Sequence, residues 1–83
     1  MYQLYIDKQS CKLKVIKLQK QFQYYGPLIA FEQTCKEDDI YIYNEFYRMC
    51  KNRKVLVRLA REIKALWLAE AMRVVQKIEE IKI

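Results

Sequence analysis

The residues with the clearest chemical potential are seven Lys and Arg side chains in the segment 48–64, which contains a single acid. If this segment is helical, Lys54, Arg58 and Arg61 lie on one face, with Lys51 one turn earlier if the helix reaches back that far. No Asp or Glu stands three or four positions before them to form a favourable pair within the helix. Such a row of cations binds phosphates, because each contact releases condensed counterions. The candidate nucleic-acid-binding residues are Lys51, Lys54, Arg58, Arg61 and Lys64.

Further lysines and several tyrosines extend this prediction. Lysines recur through the segment 12–20 and form a secondary basic strip, while tyrosines are concentrated in the segment 24–47. Tyrosine rings can stack on unpaired bases, but tyrosines in strands are usually half-buried, and we favour packing for them. The strip consists of Lys12, Lys14, Lys17 and Lys20, and the tyrosines are Tyr24, Tyr25, Tyr41, Tyr43 and Tyr47.

The sequence offers little for catalysis. It has no histidine, the usual general base, and its single glycine cannot form a glycine-rich phosphate loop. Glu37, Asp38 and Asp39 are the only carboxylate cluster, and three consecutive acids without a second acidic motif are typical of a loop or a helix start. We therefore expect a protein that is not an enzyme and has no catalytic residue, metal, cofactor or small-molecule substrate.

The cysteines and the apolar segments bear on the compartment. Cys11, Cys35 and Cys50 have unrelated spacings that match neither a disulfide framework nor a zinc site. We expect reduced thiols that pack as small hydrophobic residues, with Cys50 the best candidate for a reactive one. No segment has the length and apolarity of a membrane span, and residues 1–7 do not resemble a secretory signal. These features predict a cytoplasmic protein without membrane contact.

The element that positions the basic row is a long C-terminal helix. From about Arg53 to Lys82 the chain has no Gly, Pro, Ser or Thr, and an apolar stripe runs along it. Thirty helical residues span roughly 45 Å, whereas a compact chain of this size is only about 30 Å across. The helix must break, or a second molecule must cover its end, and we predict a homodimer. The stripe consists of Leu56, Ala60, Ile63, Trp67, Ala71, Val74, Ile78 and Ile81, of which Trp67, Ala71, Val74, Ile78 and Ile81 are the predicted partner interface.

The N-terminal half predicts a small sheet. Tyr2, Leu4 and Ile6 alternate with polar or less apolar neighbours, as in a strand. Residues 11–25 fit either a second strand or a helix that ends at Gly26 and Pro27, and we favour a hairpin because the first strand needs a partner. The run 28–31 predicts a third, buried strand, and residues 40–50 fit a strand or a helix equally well. The predicted fold is α+β in one domain, 1–83: a small antiparallel sheet, made of a hairpin over 2–18 and one or two short strands, packed on the C-terminal helix.

Two functions from different classes remain. The first is a small, basic, non-enzymatic protein that contacts nucleic-acid phosphates through the Lys/Arg helix face. The alternative is an inhibitor or adaptor of viral or mobile-element origin that binds a host protein or nucleoprotein complex and blocks it. Segregated charge, abundant Tyr and the single Trp are typical of protein interfaces, and the many Lys, Ile and Tyr residues are typical of an AT-rich genome.

Overall fold

Four antiparallel strands and two helices make up the structure, a computed structural model that describes residues 1–19 and 26–83. The sheet has the strand order β2-β1-β4-β3, and the long C-terminal helix packs on one of its faces. The predicted α+β architecture is therefore confirmed. In chain order the elements are β1 (Tyr2–Asp7), β2 (Lys12–Lys17), α1 (Gly26–Thr34), β3 (Tyr41–Ile42), β4 (Tyr47–Cys50) and α2 (Arg53–Glu79).

The hairpin of β1 and β2 follows from the alternation of apolar residues. Leu4 pairs with Val15 and Ile6 with Leu13, which places all four side chains on the sheet face toward α2. A turn joins the strands, with Cys11 in the left-handed region at φ 56° and its backbone N–H donating to the carbonyl of Lys8. The strand interpretation of 12–17 is confirmed, and residues 20–25 lie outside the described part of the chain.

The prediction of a third, buried strand over 28–31 is wrong, because these residues belong to α1. Leu28 is fully buried and Phe31 is partly buried, while Ile29 between them is exposed. The two inward residues are three positions apart, as neighbours on one face of a helix are. Pro27 lies in the first turn, where its fixed φ suits a helix and its missing N–H costs nothing. The pair Gly26–Pro27 therefore lies in the first turn of α1. Four apolar residues are too short a run for periodicity to separate the two structures.

Residues 40–50, which sequence reasoning left open, form two short strands. Between β3 and β4, the side-chain oxygen of Asn44 accepts hydrogen bonds from the backbone N–H groups of Phe46 (2.8 Å) and Tyr47 (3.1 Å). An asparagine that satisfies the backbone in this way favours a turn over continued helix.

The core lies on both sides of the sheet. On the α2 side, Leu4, Cys50, Val55 and Leu56 form a buried cluster, and Ile63 packs against it from further along α2. On the other side, Leu28 of α1 packs with Leu18 and Met49 in a second cluster. The sheet is thus covered by α2 on one face and partly by α1 on the other.

The C-terminal helix extends beyond the core that it covers. It is 27 residues long, about 40 Å, and the described residues measure 60 Å along their longest axis against 21 and 16 Å across. The apolar stripe is buried at Leu56 but exposed at Val74 and Ile78, and Ile81 lies past the end of the helix. The expected length mismatch is therefore present.

Neither helix in the described ranges has the length and apolarity needed to cross a membrane.

Candidate nucleic-acid interface

Four basic side chains at the start of α2 line one open surface cleft. Arg53, Lys54, Arg58 and Arg61, which we call the basic row, surround the half-buried Val57. Positions 54, 58 and 61 share a helix face, and Arg53 completes the cleft from the first turn. Sequence reasoning missed Arg53, although its place one residue after a capping asparagine and three before the buried Leu56 was a usable signal. All four charged side chains are exposed, so they are accessible to a polyanion.

The cap of α2 fixes where the basic row begins. Asn52 has an extended backbone, and its side-chain oxygen accepts a hydrogen bond of 3.1 Å from the backbone N–H of Lys54. This arrangement is typical of an N-cap and holds the first turn in place. The positive end of the helix dipole adds to the charge of Arg53 and Lys54. The first turn contains no acid that would offset this charge.

No carboxylate forms an ion pair with the basic row within the described residues. The ion pair found in residues 1–19 and 26–83 joins Lys8 to Glu70, at 2.5 Å, and includes no member of the row. Glu62 follows Arg58 at i+4 without forming an ion pair with it there, and this order of charges is the less favourable one on a helix. The positive charge of the row is therefore available for an external anion.

The acidic loop Glu37–Asp39 lies at the start of α2, but the carboxylates of Asp38 and Asp39 have other partners. Asp38 accepts a hydrogen bond of 2.9 Å from the side-chain nitrogen of Asn52, and Asp39 accepts one of 2.9 Å from the backbone N–H of Lys36. The loop reduces the positive potential near Arg53 and Lys54. Arg58 and Arg61, one and two turns further along, are better placed to bind an anion.

Two residues of the predicted site lie apart from the cleft. Lys51 precedes the N-cap and is half-buried, so the helix does not reach back to include it. Lys64 lines a different, largely apolar cleft beside Leu13 and Trp67.

The secondary basic strip is divided by the sheet. Lys12 and Lys14 pair with Asp7 and Tyr5, so they lie on the face away from α2, whereas Lys17 pairs with Tyr2 on the α2 face. Lys20 lies outside the described residues. Because β2 is an edge strand, these exposed lysines also oppose pairing with a further strand.

Three tyrosines, Tyr5, Tyr43 and Tyr47, form a small aromatic group on the face away from α2. The ring centroids of Tyr5 and Tyr47 are 5.5 Å apart, and those of Tyr43 and Tyr47 are 6.2 Å apart. Tyr41 instead packs on Phe31 at 5.2 Å. Tyr5 was missing from the predicted set, although its alternation with Leu4 and Ile6 indicated the outer face. Predicted stacking residues Tyr24 and Tyr25 lie outside the described part of the chain.

The hydroxyl of Tyr5 donates a 3.0 Å hydrogen bond to the carboxylate of Asp7. This bond to the neutral phenol is the main reason that the pKa of Tyr5 lies above its usual value. Hydrogen bonds from Ser10 lower the pKa of Asp7, which stays ionised at the hairpin turn. The pair orders the end of the hairpin, and we assign it a structural role.

The cysteines differ in exposure. Cys50 is fully buried in the α2-side cluster, and burial raises the pKa of its thiol, which disfavours the nucleophilic thiolate. Its position fits packing, while Cys11 in the hairpin turn is exposed. Among the side chains placed by the structure, no three His, Cys, Asp or Glu residues gather as metal ligands would.

No protein-family model, no curated protein and no solved structure matches this chain.

Proposed function

We propose that the protein binds nucleic acid by contacting phosphates with the basic row of α2. The observation that carries the proposal is that Arg53, Lys54, Arg58 and Arg61 line one open cleft without an ion-paired carboxylate in the described chain. Four exposed cations held on one rigid helix repel one another, and a polyanion relieves that repulsion while releasing its own counterions.

The dimensions of the row suit a nucleic-acid backbone. Positions 54 and 61 are about 10.5 Å apart along the helix, a distance over which one strand of B-form duplex presents roughly three phosphates. The cleft is lined by four cations and Val57. We therefore expect binding that depends strongly on salt.

A double charge reversal tests this function. Arg58→Glu with Arg61→Glu is compared with the wild type on duplex and single-stranded DNA and RNA over a salt series. The variant should bind more weakly, and the slope of log affinity against log salt should become shallower by about one unit per lost contact. The matched control is Arg73→Glu with Lys82→Glu, which changes the net charge equally, near and beyond the far end of α2, and should leave most of the affinity intact.

Two results would contradict the proposal. One is the absence of wild-type binding near physiological salt, and the other is equal weakening by the two double variants, which would indicate only a net-charge effect. Either result would favour the alternative function, an inhibitor or adaptor of viral or mobile-element origin that blocks a host protein or nucleoprotein complex.

One observation supports that alternative. Ile42, Tyr43 and Phe46, around the turn from β3 to β4, are large apolar residues with 65%, 53% and 40% of their surface exposed. Exposed apolar and aromatic groups at the tip of a hairpin favour a protein partner. Binding of this kind should depend on Tyr43 and Phe46 and should be much less sensitive to salt.

A further inference from the structure

The far half of α2 exposes a continuous apolar surface. Beyond the sheet, Val74, Val75 and Ile78 are 56%, 51% and 60% exposed, although they are aliphatic residues on a regular helix. Such residues are most often buried in soluble proteins, and a contiguous exposed patch marks an interaction surface. We call this patch the distal seam; it consists of Trp67, Leu68, Ala71, Val74, Val75 and Ile78.

The spacing within the seam matches a helix that pairs with another helix. Positions 67, 71, 74 and 78 recur at intervals of four, three and four, the pattern of core positions in a coiled coil. Leu68 and Val75 flank this line on one side, and Glu70 and Lys77 flank it on the other. Glu70 and Lys77 are about 10.5 Å apart along one helix, too far to pair with each other.

We propose that a second copy of this chain covers the distal seam as an antiparallel helix, with Glu70 of each copy beside Lys77 of the other. In this register Ala71 faces Val74 of the second copy and Trp67 faces its Ile78. The pair of Glu70 and Lys77 from the other copy then forms twice, once on each side of the two-fold axis. Leu68 and Val75 of opposite copies meet on the other flank.

Charge disfavours the competing arrangements. A parallel pair leaves Glu70 opposite Val75 and gives Lys77 no acidic partner within α2. Sliding the antiparallel pair by one heptad brings Lys77 against Lys77 in one direction and Glu70 against Glu70 in the other. Antiparallel helices also align their dipoles favourably.

The structure contains surface clefts against which the second copy can pack. Where α2 leaves the hairpin, apolar clefts lie on either side of Trp67, and Cys11, Leu13 and Ala71 line them. The Ile78 that faces Trp67 in the proposed register lies at these clefts. Glu70, at the edge of one cleft, is paired with Lys8 but is still 42% exposed, so it can accept a second cation.

The charge of the surrounding segment favours a second copy over a membrane surface. Residues 65–83 carry three cations, Arg73, Lys77 and Lys82, against the three acids Glu70, Glu79 and Glu80. Helices that lie on membranes are rich in Lys and Arg on the polar face. A segment with both signs on one edge is instead complementary to its own reversed copy. This inference does not depend on the basic row, which occupies the first half of α2, whereas the distal seam begins at Trp67.

Sedimentation equilibrium over a micromolar concentration range tests the register. The wild type should approach twice the 10.2 kDa chain mass. Glu70→Lys and Lys77→Glu each turn two attractive contacts into repulsive ones, so each should weaken the dimer by about tenfold. The double variant Glu70→Lys with Lys77→Glu restores opposite charges only in the proposed register, and its affinity should return to within about threefold of the wild type.

Two controls separate other causes. Lys8→Gln removes the ion pair with Glu70, and Glu79→Lys changes the charge as Glu70→Lys does but away from the seam; neither should alter the dimer. A wild type that stays monomeric while circular dichroism shows an intact helix would overturn the proposal, whether or not it binds vesicles or another protein. A dimer whose double variant is as weak as the single variants would overturn the antiparallel register.

Discussion

The side-chain nitrogen of Asn52 donates a hydrogen bond of 2.9 Å to the carboxylate of Asp38, fourteen residues earlier in the chain. The oxygen of the same side chain accepts from the backbone N–H of Lys54 at 3.1 Å. One amide therefore caps α2 and holds the acidic loop at the helix start. The position of the basic row and the engagement of the nearest acid depend on the same residue.

The double role of Asn52 predicts two separable effects. Asn52→Ala removes both bonds and should lower the free energy of unfolding by about 1–2 kcal/mol. Asn52→Ser keeps a capping oxygen but loses the donor to Asp38, so it should cost less than half as much. Urea denaturation measures both values. Equal losses in the two variants would show that the bond to Asp38, and not the cap, stabilises this end of α2.

The α2-side core should be sensitive to truncation at Leu56, which is fully buried. Leu56→Ala should lower the free energy of unfolding by about 2–5 kcal/mol, through lost burial and a new cavity. Leu66→Ala is the matched control on the same helix, because Leu66 is 59% exposed, and it should change stability by less than about 0.5 kcal/mol. Comparable losses at both positions would mean that α2 is rotated about its axis relative to the sheet.

Trp67 should respond to protein concentration. The sequence predicted a core or interface position, and the side chain is half-buried beside the clefts at the end of the sheet. Trp67→Ala should cost about 1–3 kcal/mol in dilute protein, less than a fully buried aromatic residue. At high concentration the cost should rise, because the dimer is lost as well. Met72→Ala, outside the line of Trp67, Ala71, Val74 and Ile78, should show a smaller rise, and a cost at Trp67 that is independent of concentration would argue against the seam.

The cysteines should differ in reactivity toward a thiol reagent. Cys11 is exposed and should react first, whereas Cys50 should react only as the protein unfolds. Burial raises the pKa of Cys50 above its ordinary value of 9.0, so the folded state keeps a proton that the unfolded state loses. The stabilisation from Cys50 is present below pH 9 and is lost as the pH rises toward the folded pKa. Cys50→Ala should remove this part of the alkaline dependence, and an unchanged profile would contradict the assignment.

Strong, long-range periodicity made part of the fold predictable. The stripe that begins at Leu56 continues through several turns, so the helix and its inward face were evident from the sequence, and its first residue, Arg53, agreed with the structure. The hairpin was predictable because Leu4 and Ile6 alternate and the nearest possible partner followed directly. The N-cap at Asn52 was equally readable as a signal but was not used.

Short segments depend on tertiary contacts that a sequence does not show. The apolar run 28–31 alone predicts a strand. In the fold, Leu28 packs on Leu18 and Met49 from a helix, and this contact is not visible in the sequence. Residues 40–50 fitted two periods, and the side chain of Asn44 decides between them by closing a turn. For the candidate site, the common face of Lys54, Arg58 and Arg61 was predictable, whereas the separation of Lys64 depends on the hairpin residues that pack beside it.

A residue-resolved NMR titration tests whether the basic row of α2 contacts phosphates. Backbone and side-chain resonances are followed while a short DNA duplex, and separately a single strand, is added near physiological salt. We expect the largest shifts to fall on Arg53, Lys54, Val57, Arg58 and Arg61, and added salt to reverse them. Shifts that instead centre on Ile42, Tyr43 and Phe46, or no shifts with either nucleic acid, would contradict phosphate binding by the basic row.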